Sequence, residues 1–375
     1  MIRLFNKILV VVVLTAFVFL FNKESYKINL FYTINYEGDN WQNHRTGMIW
    51  ALSYLGAALP KNTFDEAVSW KDSTTFTLDL AKIGFDEKSL KAFKIINREL
   101  MKSDTYRKYQ AIDIGQFIAL TIGSSWHYYE ITNIPKSLKE FYALKDTSTY
   151  RIFPVTNSSV AKQHRLLKYF TSSANPQLWL FIAEEGLGNL KNKTFRTEVS
   201  EVFDIMPNGQ LRFGIYGKDG KLMAASDVAF GEAGKPAKCI WCHEIVPSPL
   251  YKKTEDLPGF ISSEDFNKDI LTLIDKLKTL RSALLTDVDF KKTQDHTQME
   301  LLYISYMNPS IKRLAQEWHL TENETAQIVK NKKLVKNEEF GFLGELYNRN
   351  ELGFFNGIWP ASIREMNNKE INFFK

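Results

Sequence analysis

Between Phe85 and Lys102 the apolar residues Leu90, Phe93, Ile96 and Leu100 return at the three-to-four spacing of a helix with one buried face. Upstream, "RTGMIWALSYLGAALPK" is apolar almost throughout and predicts a buried helix stopped by Pro60. Downstream, "DIGQFIALTIGSSWHYYEIT" predicts another, ending near Gly123. Residues 24–146 therefore read as a helical region. From residue 147 to 260 the period changes. Phe195, Val199, Phe203 and Ile205 alternate with polar residues, and so do Leu211, Phe213 and Ile215. Pro207, Asn208 and Gly209 mark one turn, and Asp219 and Gly220 a second. The pattern predicts a three-strand antiparallel meander. Residues 261–375 return to the helical period. Ser262 with Asp265 predicts a cap, and Phe266, Ile270, Leu273, Ile274, Leu277, Leu280 and Leu284 form one apolar face. A helix carrying Met299, Leu302, Tyr303 and Tyr306 follows, then one capped at Asn308–Pro309, then one capped by Thr321 with Glu324. The last stretch is aromatic and glycine-rich and predicts ordered loops. The fold class expected is α+β, mostly helical, with a small β meander ahead of "AKCIWCHEI" at residues 237–245.

That nonapeptide holds the chain's only two cysteines, Cys239 and Cys242, with His243 directly after them. Chance places such a group in roughly one chain in ten thousand of this length, so the pattern asks for a chemical cause. A zinc site needs two more ligands, and there is no third cysteine to supply one. A dithiol–disulfide site uses both cysteines, but gives His243 no task and does not call for the bulky Ile240 and Trp241 between them. Covalent haem attachment uses all three residues: two thioethers fix the macrocycle and the adjacent imidazole ligates its iron from the proximal side. In these residues the chain resembles the c-type cytochromes. The resemblance implies one covalent haem c held by Cys239 and Cys242, with His243 as its proximal ligand. A meander leading into the motif is similar in layout to the sheet-type haem c proteins of the cytochrome c prime beta group. About 130 residues follow the motif here, where that group has few.

Haem attachment implies assembly outside the cytoplasm, which makes the N-terminus informative. "MIRLFNKILVVVVLTAFVFLFNKES" places Arg3 and Lys7 ahead of an apolar run from Ile8 to Phe21. This is the pattern of an export signal. No small-residue cleavage site stands clearly at its end, so residues 1–23 read as an uncleaved anchor in preference to a cleaved signal, with the rest outside the cytoplasmic membrane either way. Of 48 basic and 43 acidic residues, Arg3 and Lys7 belong to that segment, which leaves the body within a few charges of neutrality. Nucleic-acid binding therefore has no electrostatic basis, although "SIKRLAQEWHLTENETAQIVKNKK" has the outline of a helix-turn-helix. That stretch reads as two packed helices. No phosphate-binding glycine loop and no Ser–His–Asp order are present.

The second axial position decides what such an iron does. A side chain there suits electron transfer with a partner protein, whereas an open position suits a sensor or a peroxidase-like enzyme. Met307, just before a predicted helix where a loop could turn it toward a haem, is the leading thioether candidate. Met299, nearly on the same face, is the alternative. His296 reads as a solvated surface histidine and His127 as a core one, though either could ligate. Pro247 or Pro249 could offer a carbonyl to His243 Nδ1.

Overall fold

The computed structural model describes residues 26–156, 165–227, 234–243, 246–247, 255–292, 295–352 and 370–375. The expected apolar anchor at residues 8–21 and Pro249 lie outside them. Among the described residues no helix is long and apolar enough to cross a membrane.

The fold is α+β. Its first part runs β1 (Lys27–Phe31), α1 (Trp41–Tyr54), α2 (Thr63–Ala67), β2 (Val68–Trp70), β3 (Thr75–Asp79), α3 (Glu87–Leu100), α4 (Asp104–Tyr109), β4 (Ile112–Asp113), α5 (Ile114–Thr121), α6 (Ser125–Ile131) and α7 (Leu138–Leu144). Helix α3 forms as its spacing predicts, with Asp86 capping the Ser89 N–H and Leu90, Phe93, Ile96 and Leu100 buried. Helix α1 stops at Tyr54, six residues before Pro60, because the chain turns at Gly56 with φ of 99°. A four-stranded sheet in the order β2-β3-β1-β4 belongs to this region, which the sequence pattern presents as helical only. Its strands have two to five residues, too short to establish a period of two against the surrounding helices.

The second part is a five-stranded antiparallel meander: β5 (Arg151–Val155), β6 (Arg165–Phe170), β7 (Leu180–Leu187), β8 (Arg196–Ile205) and β9 (Leu211–Gly217), hydrogen-bonded in chain order. Strands β8 and β9 are the two whose alternation is plain. The expected third strand after Gly220 forms only isolated bridges, at Lys221 and Leu222. The additional strands precede β8 instead. Strand β6, "RLLKYF", lacks alternation, and β7 opens as an apolar run, so neither declares itself. Strand β9 is an edge whose Phe213 and Ile215 N–H groups donate to the hydroxyls of Tyr128 and Tyr129 on α6. That satisfies the edge without another strand.

The chain continues through α8 (Pro236–His243), α9 (Ser263–Ser282), α10 (His296–Met307), α11 (Ile311–Trp318) and α12 (Glu322–Val329), then the two-stranded pair β10 (Leu334–Val335) with β11 (Leu346–Tyr347), and α13 (Arg349–Leu352). Ser262 caps α9 through the Asp265 N–H, and Thr321 with Glu324 forms a capping box on α12. The cap of α11 is Ser310, not Asn308: the Ser310 hydroxyl accepts the Arg313 N–H at 3.2 Å, and Pro309 precedes the helix. Helices α11 and α12 pack together, joined by His319 in the left-handed region.

Helix α10 is buried on all sides, between α1 and α5. Two glycines make this approach possible. A Cβ on Gly47 would lie 2.8 Å from the Gln298 carbonyl oxygen, and one on Gly115 2.7 Å from that of Leu302. One core cluster gathers side chains from Ile28 to Leu346, and thus from all three regions of the chain.

Candidate functional site

The motif forms helix α8. Proline at its first position is preset for the helical φ and lacks only an N–H that the helix would leave unpaired. Cys239, fourth in the helix, donates its backbone N–H to the Lys235 carbonyl. Cys242 and His243, three and four positions after Cys239, fall on the same side of the helix as it. Both thiols are free, Cys239 buried and Cys242 half-buried.

Helix α8 meets one face of the meander. The register aligns Tyr169, Phe181, Phe203 and Phe213 across β6 to β9, directly opposite one another. Phe181 stacks on Phe203 with centroids 4.4 Å apart and planes within 7°, and Tyr169 stacks on Phe181. The His243 ring lies over the end of this row, 5.8 Å from Phe203 and 5.9 Å from Phe213. At the other end, Phe266 of α9 packs on Tyr169 and stacks on Phe153. Leu167, Ala183 and Phe203, central on this face, stay half-buried, which leaves a shallow apolar floor between α8 and α9. Above α8, Trp241 meets Tyr303 of α10 edge-on at 5.9 Å.

The same face carries a charged group at its far end. Arg165 contacts Glu185 and lies 3.3 Å from Glu201. Glu185 is 1% exposed and meets Arg165 through Oε1, while its Oε2 and Glu201 Oε1 are buried without a hydrogen-bond partner. Two buried carboxylates share one guanidinium, a costly arrangement unless a proton or a further partner completes it.

The electrostatics decide what the motif residues are fit for. Burial pushes the Cys239 thiol well above its ordinary pKa, and the Glu201 carboxylate adds to the effect. Burial raises Cys242 as well, only partly opposed by Lys238. A dithiol oxidoreductase needs the reverse, a lowered and accessible thiolate at a helix N-terminus. Burial holds His243 down to about 4, helped by the Arg165 charge, so its imidazole is neutral and has a lone pair to offer. Its Nδ1 is buried without a hydrogen bond, and Val246 is the backbone group that acts on the ring. The expected bond to a Pro247 carbonyl is thus not formed. Two free thiols and one neutral imidazole lying against an aromatic row fit a covalently held haem, while His243 Nδ1 lacks the carbonyl partner that would orient such a ligand.

The distal candidates sort differently. Met307 is the last residue of α10 rather than part of a loop, and it is 5% exposed within the core. Met299 is fully buried on the same helix. On α10, Tyr303 meets Trp241 of the motif edge-on, and the Glu300 charge acts on the Cys242 thiol. His296 is buried, not solvated, because it opens the all-buried helix α10 edge-on to Trp50. His127 is a core histidine: Nδ1 donates to the Leu120 carbonyl at 2.6 Å, and Nε2 accepts the Phe373 N–H at 3.2 Å. Neither nitrogen remains for a metal. Among the described residues no group of three or more His, Cys, Asp or Glu is arranged to hold a bare metal ion. The sequence pattern points to the motif and to Phe203 and Phe213. It does not single out Tyr169, Phe181, Arg165, Glu185 or Glu201, which only the register of β6, β7 and β8 brings to the motif. Compared with protein-family models, curated proteins and solved structures, the chain finds no match, so its function is argued from this site.

Proposed function

We propose that the chain is an exported monohaem c-type cytochrome acting in electron transfer. Cys239 and Cys242 would hold the haem as thioethers, each S–H having added across a vinyl group, and His243 would supply the imidazole to its iron. The observation that carries this reading is one helix that carries two free thiols and a buried neutral imidazole, with the imidazole against Phe203 and Phe213 at the end of the aromatic row. When bound, the haem supplies a one-electron iron couple. The chain's own residues exclude water from one face, keep the imidazole unprotonated and hold the two sulfurs in one helical turn. A redox partner protein receives or delivers the electron, and residues 1–23 tether the protein to the outer face of the cytoplasmic membrane. Visible spectra of the matured protein in both redox states test the reading. A Met307→Ala variant with an altered reduced spectrum supports Met307 as the second ligand. An unchanged spectrum returns it to the core and leaves Met299.

A second reading has its own support. Glu185, Glu201 and Arg165 form a buried polar group on the haem-facing side of the sheet, which a pure carrier does not need. Such a group suits a small-molecule sensor or a peroxidase-like enzyme with an open distal position. Carbon monoxide separates the two: a six-coordinate carrier resists it in the ferrous state, whereas an open site binds it rapidly and fully.

A further inference from the structure

A cavity of about 280 Å³ lies remote from the motif in the fold's connectivity, between the first sheet and α11. Its walls include Phe31, Thr75, Tyr109, Gln116, Glu317 and Arg349. We infer that this cavity binds a small, uncharged, hydroxyl-bearing molecule of the size of a single sugar.

Charge comes first. Beneath the cavity, Arg313 lies 2.7 Å from both Asp113 and Glu317, and Arg349 holds both oxygens of Glu317 at 2.7 and 2.8 Å. Two cations are matched by two anions, and each is committed to the other. A phosphate or carboxylate ligand needs a surplus cation, and an amine a surplus anion. The lattice offers neither, so a neutral ligand fits. Its fixed dipoles and remaining lone pairs still serve hydroxyl groups.

The second observation is Gln116, in the first turn of α5. The residue is 2% exposed and lines the cavity, and its Nε2, itself shielded from solvent, has no hydrogen-bond partner. A buried amide N–H in that state costs about 1–3 kcal/mol, which is recovered when the side chain turns Nε2 to an acceptor in the cavity. Shape supplies the rest. Phe31 and Tyr109 pack together at 5.3 Å and give the cavity an aromatic wall, while Thr75 and Thr105 also line it, and the Thr33 hydroxyl is spent on Asp113. An aromatic face with converging amide, hydroxyl and paired charged groups suits a ring with one apolar face and a polar edge. The volume stands at the low end of small-molecule sites, roughly 300 Å³, and admits one such ring.

Saturation-transfer NMR on the full chain tests the inference, with D-glucose and D-galactose as neutral probes and glucose 6-phosphate and glucosamine as charged ones. The neutral sugars are expected to receive saturation and the charged ones at least about tenfold less. Gln116→Leu should abolish the signal. Thr105→Trp, on the half-buried rim and outside the charged lattice, should abolish it by filling the mouth, and decides the matter where Gln116→Leu does not fold. No transfer to either neutral sugar, equal transfer to the charged ones, or transfer that survives Thr105→Trp overturns the proposal.

Discussion

His127 and His243 are both neutral because they are buried, yet they spend their nitrogens differently. Two backbone groups occupy both nitrogens of His127, which leaves it no metal to hold, whereas His243 has a buried Nδ1 with no carbonyl to receive its proton. Burial lowers His127 from 6.5 to about 4, against the opposing pull of the Leu120 carbonyl. Above pH 6.5 neither the folded nor the unfolded chain takes up a proton there. As pH falls from 6.5 toward 4, the unfolded chain is protonated first and the fold loses about 1.4 kcal/mol per pH unit from this residue. Urea unfolding at pH 7 and pH 5 should therefore show a smaller acid loss in His127→Leu than in the parent protein. Equal losses would show that His127 does not carry the effect. This behaviour was only half legible beforehand. "SSWHYYEIT" marks a histidine among aromatics, but its acceptor role depends on Phe373, 246 residues away. His296 is the opposite case, since the polar neighbours in "QDHTQ" suggest solvent while the helix they begin is buried on every side.

Helices declared themselves where one face is apolar and a cap is local, as in α3, α9 and α12, because period and cap are both short-range properties. Strands β6 and β7 did not, since their pairing is set by long-range register rather than by their own alternation. With them went the means of foreseeing the aromatic row and the Arg165–Glu185–Glu201 group. Helix α10 depends on two glycines that a sequence reading has no reason to single out. Gly47→Ala would press a methyl against the Gln298 carbonyl and Gly115→Ala another against that of Leu302, so each should cost about 1–3 kcal/mol in denaturant unfolding. A cost near zero in both would mean that α10 shifts freely between α1 and α5. Ser262→Ala removes the cap of α9 and should cost about 1 kcal/mol, with helix content by circular dichroism nearly unchanged.

At the scale of the whole molecule, the C-terminal residues close over the start of the motif helix. Lys235, just ahead of α8, pairs with Glu370, and both side chains are almost fully buried. Glu370 also accepts the Ser125 N–H at 2.8 Å, and Phe373 stacks on His127. Glu370→Gln leaves the Lys235 charge buried without its counter-ion and should cost roughly 3–5 kcal/mol, whereas the double replacement Lys235→Met with Glu370→Leu should cost far less. Equal losses in both variants would show that packing, not charge, holds the segment. The central claim is that Cys239 and Cys242 carry a haem with His243 beneath its iron. Denaturing gel electrophoresis with haem staining, on protein expressed with a haem-attachment system, tests it most directly. The account predicts a stained band at the full-length protein that is lost when Cys239 and Cys242 are both replaced by Ala. An unstained band from the parent chain, with its two thiols free or joined as a disulfide, would contradict it.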